Sequence, residues 1–246
     1  MVLTAPPYRP LFDSNTAARS LLIGLVAYWP LDEASGTRAD KVGVSALTDN
    51  NTVTGAAGPS GKLPLASQFT AANSEFLSVA DNAALSMGAG ARFTIGGHLY
   101  PDAIPATVFD ILGKNNAGTA REYRVNKGTN NRLNLEISPD GATPVATAQS
   151  GLTLAAATWY TWMAGYDGAH IWIRTNNGPV VRTAHSTDVF DGAVAFQIGK
   201  VAAGTNYVDG RMCGIAIWKR DLTAAEQTYW HNDGNGRTFV PGLGFF

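Results

Sequence analysis

The sequence predicts an all-β protein built from paired antiparallel sheets, and three observations carry that expectation. Apolar residues recur with period two along most of the chain, which turns one face of each segment inward and the other outward. Gly and Pro, 27 and 12 of the 246 residues, punctuate these runs at short intervals, as the turns of a sandwich or barrel require. Helical periodicity is scarce. An all-β chain of this length commonly stays one domain, although two small ones would also accommodate it.

Taken in order, residues 1–20 differ from the rest. Pro6, Pro7 and Pro10, without any periodicity, predict an extended N-terminal arm. Alternation then predicts strands over 25–29, 75–79, 93–100, 108–113, 122–126, 132–137, 159–166, 169–175, 194–198 and 211–218.

Tyr166-Asp167-Gly168-Ala169 is an Asp-Gly between two apolar runs, a strong hairpin signal. A turn centred on it sets Ala164 opposite Ile171, Trp162 opposite Ile173, Met163 opposite Trp172 and Gly165 opposite His170. One face then carries Tyr160, Trp162, Ala164, Ile171 and Ile173, a core face. The other carries Thr161, Met163, His170, Trp172 and Arg174. That mixed surface is the candidate ligand site, with Trp172, Arg174, His170 and Met163 as its residues, because a flat indole flanked by hydrogen-bonding groups suits a sugar ring or a partner loop. The alternative is that a further layer, a loop or the C-terminal helix covers it.

Only the tail invites a helix. Thr223 with Glu226 three residues on makes a capping box, Gly234 and Gly236 end the helix, and Tyr229 and Trp230 dock it on the sheet edge. Residues 239–246 follow as a tail whose Phe245 and Phe246 need cover.

Composition and spacing exclude several functions. Charged residues are 15% of the chain and the net charge is -1, so the basic footprint of a nucleic-acid binder is absent. The apolar stretch 21–30 is about half the length that spans a bilayer, and no cleavage site follows it, so neither membrane insertion nor a signal peptide is expected. Cys213 is single and lies in a strand, where it reads as a small core residue. His98, His170, His185 and His231 lack zinc spacing. Of Glu33, Glu75, Glu122, Glu136 and Glu226, none has a second acid at strand spacing, so the paired carboxylates of glycoside hydrolysis are not encoded within one strand. A pair assembled across strands stays open.

Four stretches together resemble the laminin G-like jelly-roll domains of the concanavalin A-like superfamily. They are "GLVAYWPLDEASGTRADKVG", "EFLSVADNAALSMGAGARFTIGGHLYP", "TWYTWMAGYDGAHIWIRTNNG" and "FQIGKVAAGTNYVDGRMCGIAIWKRDLTAAEQTYWHNDGNG". They span Gly24 to Gly236; the tryptophan usual after the Phe-Thr-Ile strand is replaced near His98 or Leu99. The resemblance implies a two-sheet antiparallel jelly-roll sandwich with a short C-terminal helix, as one domain over 21–238. Many relatives hold a calcium ion through acids on the last strand, where this chain has Cys213 and Gly214; a thiol is a poor ligand for that ion. Asp32, Asp40 and Asp209 are the remaining candidate calcium ligands, each equally explained as turn chemistry. No other cofactor is expected.

Function is expected to be non-catalytic, and two classes stand. One is a structural subunit of a multi-protein particle, such as a phage virion decoration, coat or fibre, joined to its neighbours through the N-terminal arm or C-terminal tail and placed on a virion surface or extracellularly. The other is an adhesion module binding surface glycans. A glycoside hydrolase or lyase is the third and least supported.

Overall fold

The computed structural model describes residues 13–116, 119–143, 146–202 and 204–246. Helix α1 (Asp13–Ser20) leads into β1 (Leu25–Trp29), β2 (Thr48–Asn50), β3 (Thr54–Ser60), β4 (Leu63–Phe69), β5 (Phe76–Val79) and β6 (Phe93–Pro101). The middle of the chain gives β7 (Phe109–Asn116), β8 (Ala120–Lys127), β9 (Arg132–Ile137), β10 (Ala146–Thr153), β11 (Tyr160–Tyr166), β12 (His170–Thr175) and β13 (Val181–Ala184). The remainder forms β14 (Phe196–Ile198), β15 (Gly210–Trp218), α2 (Ala224–His231), β16 (Phe239–Val240) and β17 (Gly244–Phe245). Every expected strand is present. No helix among the described residues is long and apolar enough to cross a membrane.

The strands make two antiparallel sheets, a jelly-roll sandwich. The eight-stranded sheet runs β13-β12-β11-β6-β15-β4-β3 with β1 also paired to β15, and the seven-stranded sheet runs β10-β9-β8-β7-β14-β5-β2. Strand β15 serves β4 with its first half and β1 with its second. It shifts register between Cys213 and Ala216, where Gly214 sits at φ 60, a left-handed conformation that favours glycine. Trp29, Phe69, Phe93, Tyr123, Trp162, Phe196 and Ile215 fill the space between the sheets. Trp29 stacks on Phe196 with ring centres 5.3 Å apart, and its indole N–H donates to the Ser45 carbonyl, so this core indole leaves no polar atom unpaired.

The hairpin turn differs from the expected one by two residues. Ala164 pairs with Ile173, Met163 with Arg174, Gly165 with Trp172 and Tyr166 with Ile171. Gly168 and Ala169 therefore form the loop, with Gly168 at φ 94 and the Asp167 carboxylate accepting from the Ala169 and His170 amides. Glycine at the first loop position suits a II′ turn. A shift of two preserves which side chains share a face, so Trp162 and Ile173 face the core as expected.

The eight-stranded sheet carries a second apolar layer on its outer face. Met163, Trp172 and Trp218 from the sheet pack with Tyr28, Leu21, Trp230 of α2 and Phe245 of the tail. Thr223 caps α2 with the full capping box, and Arg220 grips Glu226 at 2.6 Å. Helix α2 lies on this face rather than on the sheet edge, because that is where uncovered tryptophans are.

One expectation for the termini needs correction. Residues 13–20 are helical rather than extended; the eight-residue helix is held by packing, with Ala18 fully buried, since isolated helices this short are unstable. Residues 1–12 of the expected arm lie outside the described residues. The 239–246 tail folds back as the β16–β17 hairpin and buries Phe245. Gly244 makes this possible: a side chain there would stand 2.1 Å from the Ala18 carbonyl oxygen.

The unexpected strands β2, β3, β10 and β13 all lie at sheet edges. Strand β3 reads Thr-Gly-Ala-Ala-Gly-Pro-Ser, an edge segment without apolar alternation, where pairing comes from the neighbouring strand and Pro59 is tolerated because edges leave N–H groups unused.

Candidate functional site

The expected ligand surface is not open. Trp172 is 0% exposed and Met163 3%, and the Trp172 indole donates to Asp221 at 2.8 Å. Arg174 is committed to the carbonyls of Gly178 and Asn177 and reaches Gln227 of α2 at 3.5 Å. His170 remains partly exposed beside Asp167. The face was assigned correctly, but its apolar content draws α2 and the tail over it. Among the proposed calcium ligands, Asp40 accepts from the amides of Tyr28, Val42 and Ser45 as a turn-forming residue, and Asp209 from Ala71 at 3.4 Å. Asp32 lines a separate cleft of about 490 Å³. No group of three His, Cys, Asp or Glu among the described residues is placed to hold a metal ion.

The outer face of the seven-stranded sheet is different. Register aligns Thr48, Ser78, Gln197, Gly113, Arg124, Glu136 and Thr147 in one row across all seven strands. Every side chain in that row is polar or absent. Beside it runs a shorter row of Asp110, Asn126, Asn134 and Gln149.

Hydrogen bonds knit the rows together. Arg124 donates to Glu136 at 2.6 Å and to Asp110 at 3.2 Å. Asn126 donates to Glu136 at 2.8 Å, Asn134 to Asn126 at 2.9 Å and Gln149 to Asn134 at 2.9 Å. Gly113 leaves a gap between Gln197 and Arg124, and strand β8 comes close enough that a side chain there would meet the Tyr123 carbonyl oxygen at 2.5 Å. At the far end Phe76, next to Asn50 of β2, and Tyr207 share the Lys200 ammonium, 4.7 and 5.2 Å from their ring centres.

Asp110 and Glu136 are thus brought together across strands, a pairing that spacing along one strand could not reveal. They are not arranged for hydrolysis, which needs an acid and a nucleophile or base open to the sugar. Arg124 stands between them, and Asp110 is 0% exposed. Burial pushes the Asp110 carboxyl up to about 6, with Glu136 adding to the rise and Arg124 opposing it. The signal for this face was present in "REYRVNK" and "RLNLEI", whose polar residues alternate with core residues.

Comparison with known proteins places residues 72–226, more than half of the chain, in the concanavalin A-like lectin/glucanases superfamily. No curated protein matches the sequence. Among solved structures, the binding domain of Paraclostridial Mosquitocidal Protein 1 matches at TM-score 0.70 and 10% identity, over 85% of this chain and 52% of that one. Botulinum neurotoxin type C, described as depending on two ganglioside molecules for cell entry, matches at 0.66 and 10% identity, over 90% and 54%. The chain therefore spans about half the length of these two toxin chains. Domain 4 of an extracellular arabinanase from Geobacillus stearothermophilus, solved with arabinotriose, matches at 0.63 and 15% identity, over 83% and 96%. At these identities the likeness is one of fold.

Proposed function

Because the chain belongs to the concanavalin A-like lectin/glucanases superfamily, we propose that it is a non-catalytic glycan-binding module whose ligand lies along the outer face of the seven-stranded sheet. The seven-strand polar row carries this reading. Side chains held by their neighbours are already ordered, so a sugar's hydroxyls meet fixed donors and acceptors at little entropic cost. The side chains of Arg124 and Glu136 remain 20% and 16% exposed, so a charged donor and a charged acceptor of the row face a ligand's hydroxyls. Phe76 and Tyr207 supply apolar rings at one end, the other component of sugar recognition. The arabinotriose-bound and ganglioside-dependent relatives of the same fold support the ligand class.

Hydrolysis is the weaker reading, given the guanidinium between the two carboxylates. A place in a multi-subunit particle drew on C-terminal aromatics in need of cover, and Phe245 finds that cover within its own chain. The test is calorimetric titration with arabinotriose, cellotriose, maltotriose and sialyllactose, alongside a reducing-end assay. Saturable binding without new reducing ends is expected; release of reducing ends, or no binding to any of the four, contradicts the proposal.

A further inference from the structure

Five of the six tryptophans are buried at 0% to 3% exposure. Trp159 is the sixth, only partly buried, and it stands on the eight-stranded sheet's outer face. There it heads a second cross-strand row. Arg211 lies opposite Tyr100 on one side and Gln68 on the other, and Trp159, one step beyond the Tyr160–Leu99 pair, meets Tyr100 with ring centres 5.3 Å apart.

The polar members of the row are ordered around those rings. The Arg211 guanidinium lies 4.7 Å from the centre of the Tyr100 ring, and its Nε donates to Gln68 Oε1 at 3.1 Å. Gln68 in turn donates to Asp102 at 2.7 Å. Arg211 and Asp102 approach to 4.0 Å, with side chains 31% and 34% exposed. Trp159 rests against Leu63, Ala66 and Cys213, so the indole is braced from behind while part of it remains open.

We propose that this row is a second glycan site, taking an uncharged sugar residue stacked on Trp159 with its hydroxyls on Arg211, Gln68 and Asp102. An aromatic face next to a planar guanidinium, an amide and a carboxylate offers one apolar surface and several fixed hydrogen-bonding groups, which is the division of surface a sugar ring itself has. The charges of Arg211 and Asp102 cancel, and an uncharged ligand is the complement of such a row. The inference rests on the glycan-binding reading of the module. Because the two rows occupy opposite outer faces of the sandwich, one molecule would hold two glycan chains and gain avidity on a surface that displays many.

The experiment titrates the wild type, Trp159→Ala and Glu136→Gln with arabinotriose, cellotriose and maltotriose by calorimetry, and records tryptophan fluorescence. Two sites are expected in the wild type. Trp159→Ala removes one of them and the ligand-induced fluorescence change, without lowering the melting temperature; Glu136→Gln removes the other and keeps that change. If Trp159→Ala proves unstable, Arg211→Lys serves in its place, keeping the charge but losing the planar fork, and weakens the same site about tenfold. A Trp159→Ala protein that is folded and binds as the wild type does, while Glu136→Gln abolishes binding, overturns this inference and leaves the seven-stranded face standing. Loss of all binding in Trp159→Ala with none lost in Glu136→Gln supports this row and overturns the other. A wild type that binds none of the three contradicts both.

Discussion

The two outer faces of the sandwich have opposite fates. On the eight-stranded sheet, Met163, Trp172 and Trp218 point outward, and Leu21, α2 and the C-terminal hairpin cover them. On the seven-stranded sheet the outward residues are Ser78, Gln197, Arg124, Glu136 and Thr147; Gln197 is buried, while Arg124 and Glu136 pair with each other and keep side chains 20% and 16% exposed. An apolar outer face behaves as a second core, because leaving several tryptophans in water costs more than ordering a short helix and a hairpin over them. A polar outer face needs no cover. The contrast teaches that an aromatic on a strand marks a binding surface only where nothing remains in the chain to bury it.

The largest test of this contrast is Trp172→Ala. Truncating a fully buried indole should cost about 3–5 kcal/mol, seen as a large fall in melting temperature; a stable variant would mean that the cap does not bear on Trp172. The next is Asp110. Its carboxyl is raised to about 6 by burial, so its protonated form is favoured in the fold. That contribution to stability is complete below about pH 4 and is lost as pH rises through 6. Denaturation of the wild type against Asp110→Asn at pH 4 and 7 should expose a difference on the order of 2 kcal/mol in that sense. A difference of the opposite sign would place Arg124 in control.

Glu226 titrates the other way. Burial works against its charge, yet Arg220 and the Thr223 amide outweigh it and hold its carboxyl down at about 2. Stability from this group is present above the ordinary glutamate range and is lost as pH falls toward 2. Glu226→Gln should lose about 1 kcal/mol at pH 7, as capping interactions do, and should be less sensitive than the wild type to acid below pH 4. The smallest expected change in stability belongs to Glu136→Gln. On a partly exposed face it should stay within about 1 kcal/mol of the wild type while weakening glycan binding, which separates recognition from folding.

Much of the fold could be read directly. Alternation placed the strands that carry Trp29, Phe93, Trp162 and Ile215 because one face of each is apolar and packs between the sheets, and the Thr223–Glu226 pair located α2 because a capping box is local chemistry. Strand β3 could not be found that way, since glycine and alanine leave no pattern and only β4 makes it a strand. The hairpin register slipped by two because Asp-Gly is compatible with more than one turn, yet Trp162 and Trp172 kept their faces.

The site was far less legible, for a reason visible in two residues. Glu136 has no acid near it along its own strand, and the sequence alone gives no means of pairing it with Arg124 and Asp110 on β8 and β7. Trp172 drew attention by its flanking residues, but whether it is covered depends on where Trp230 and Phe245 dock, more than fifty residues later. Both are questions of long-range pairing.

The most direct measurement is amide chemical-shift mapping of the folded protein during titration with a neutral oligosaccharide such as arabinotriose. Shifts that include Gly113, Arg124, Glu136 and Gln197 are predicted. Saturable binding that leaves all four unmoved would contradict the assignment of the seven-stranded face as the glycan surface.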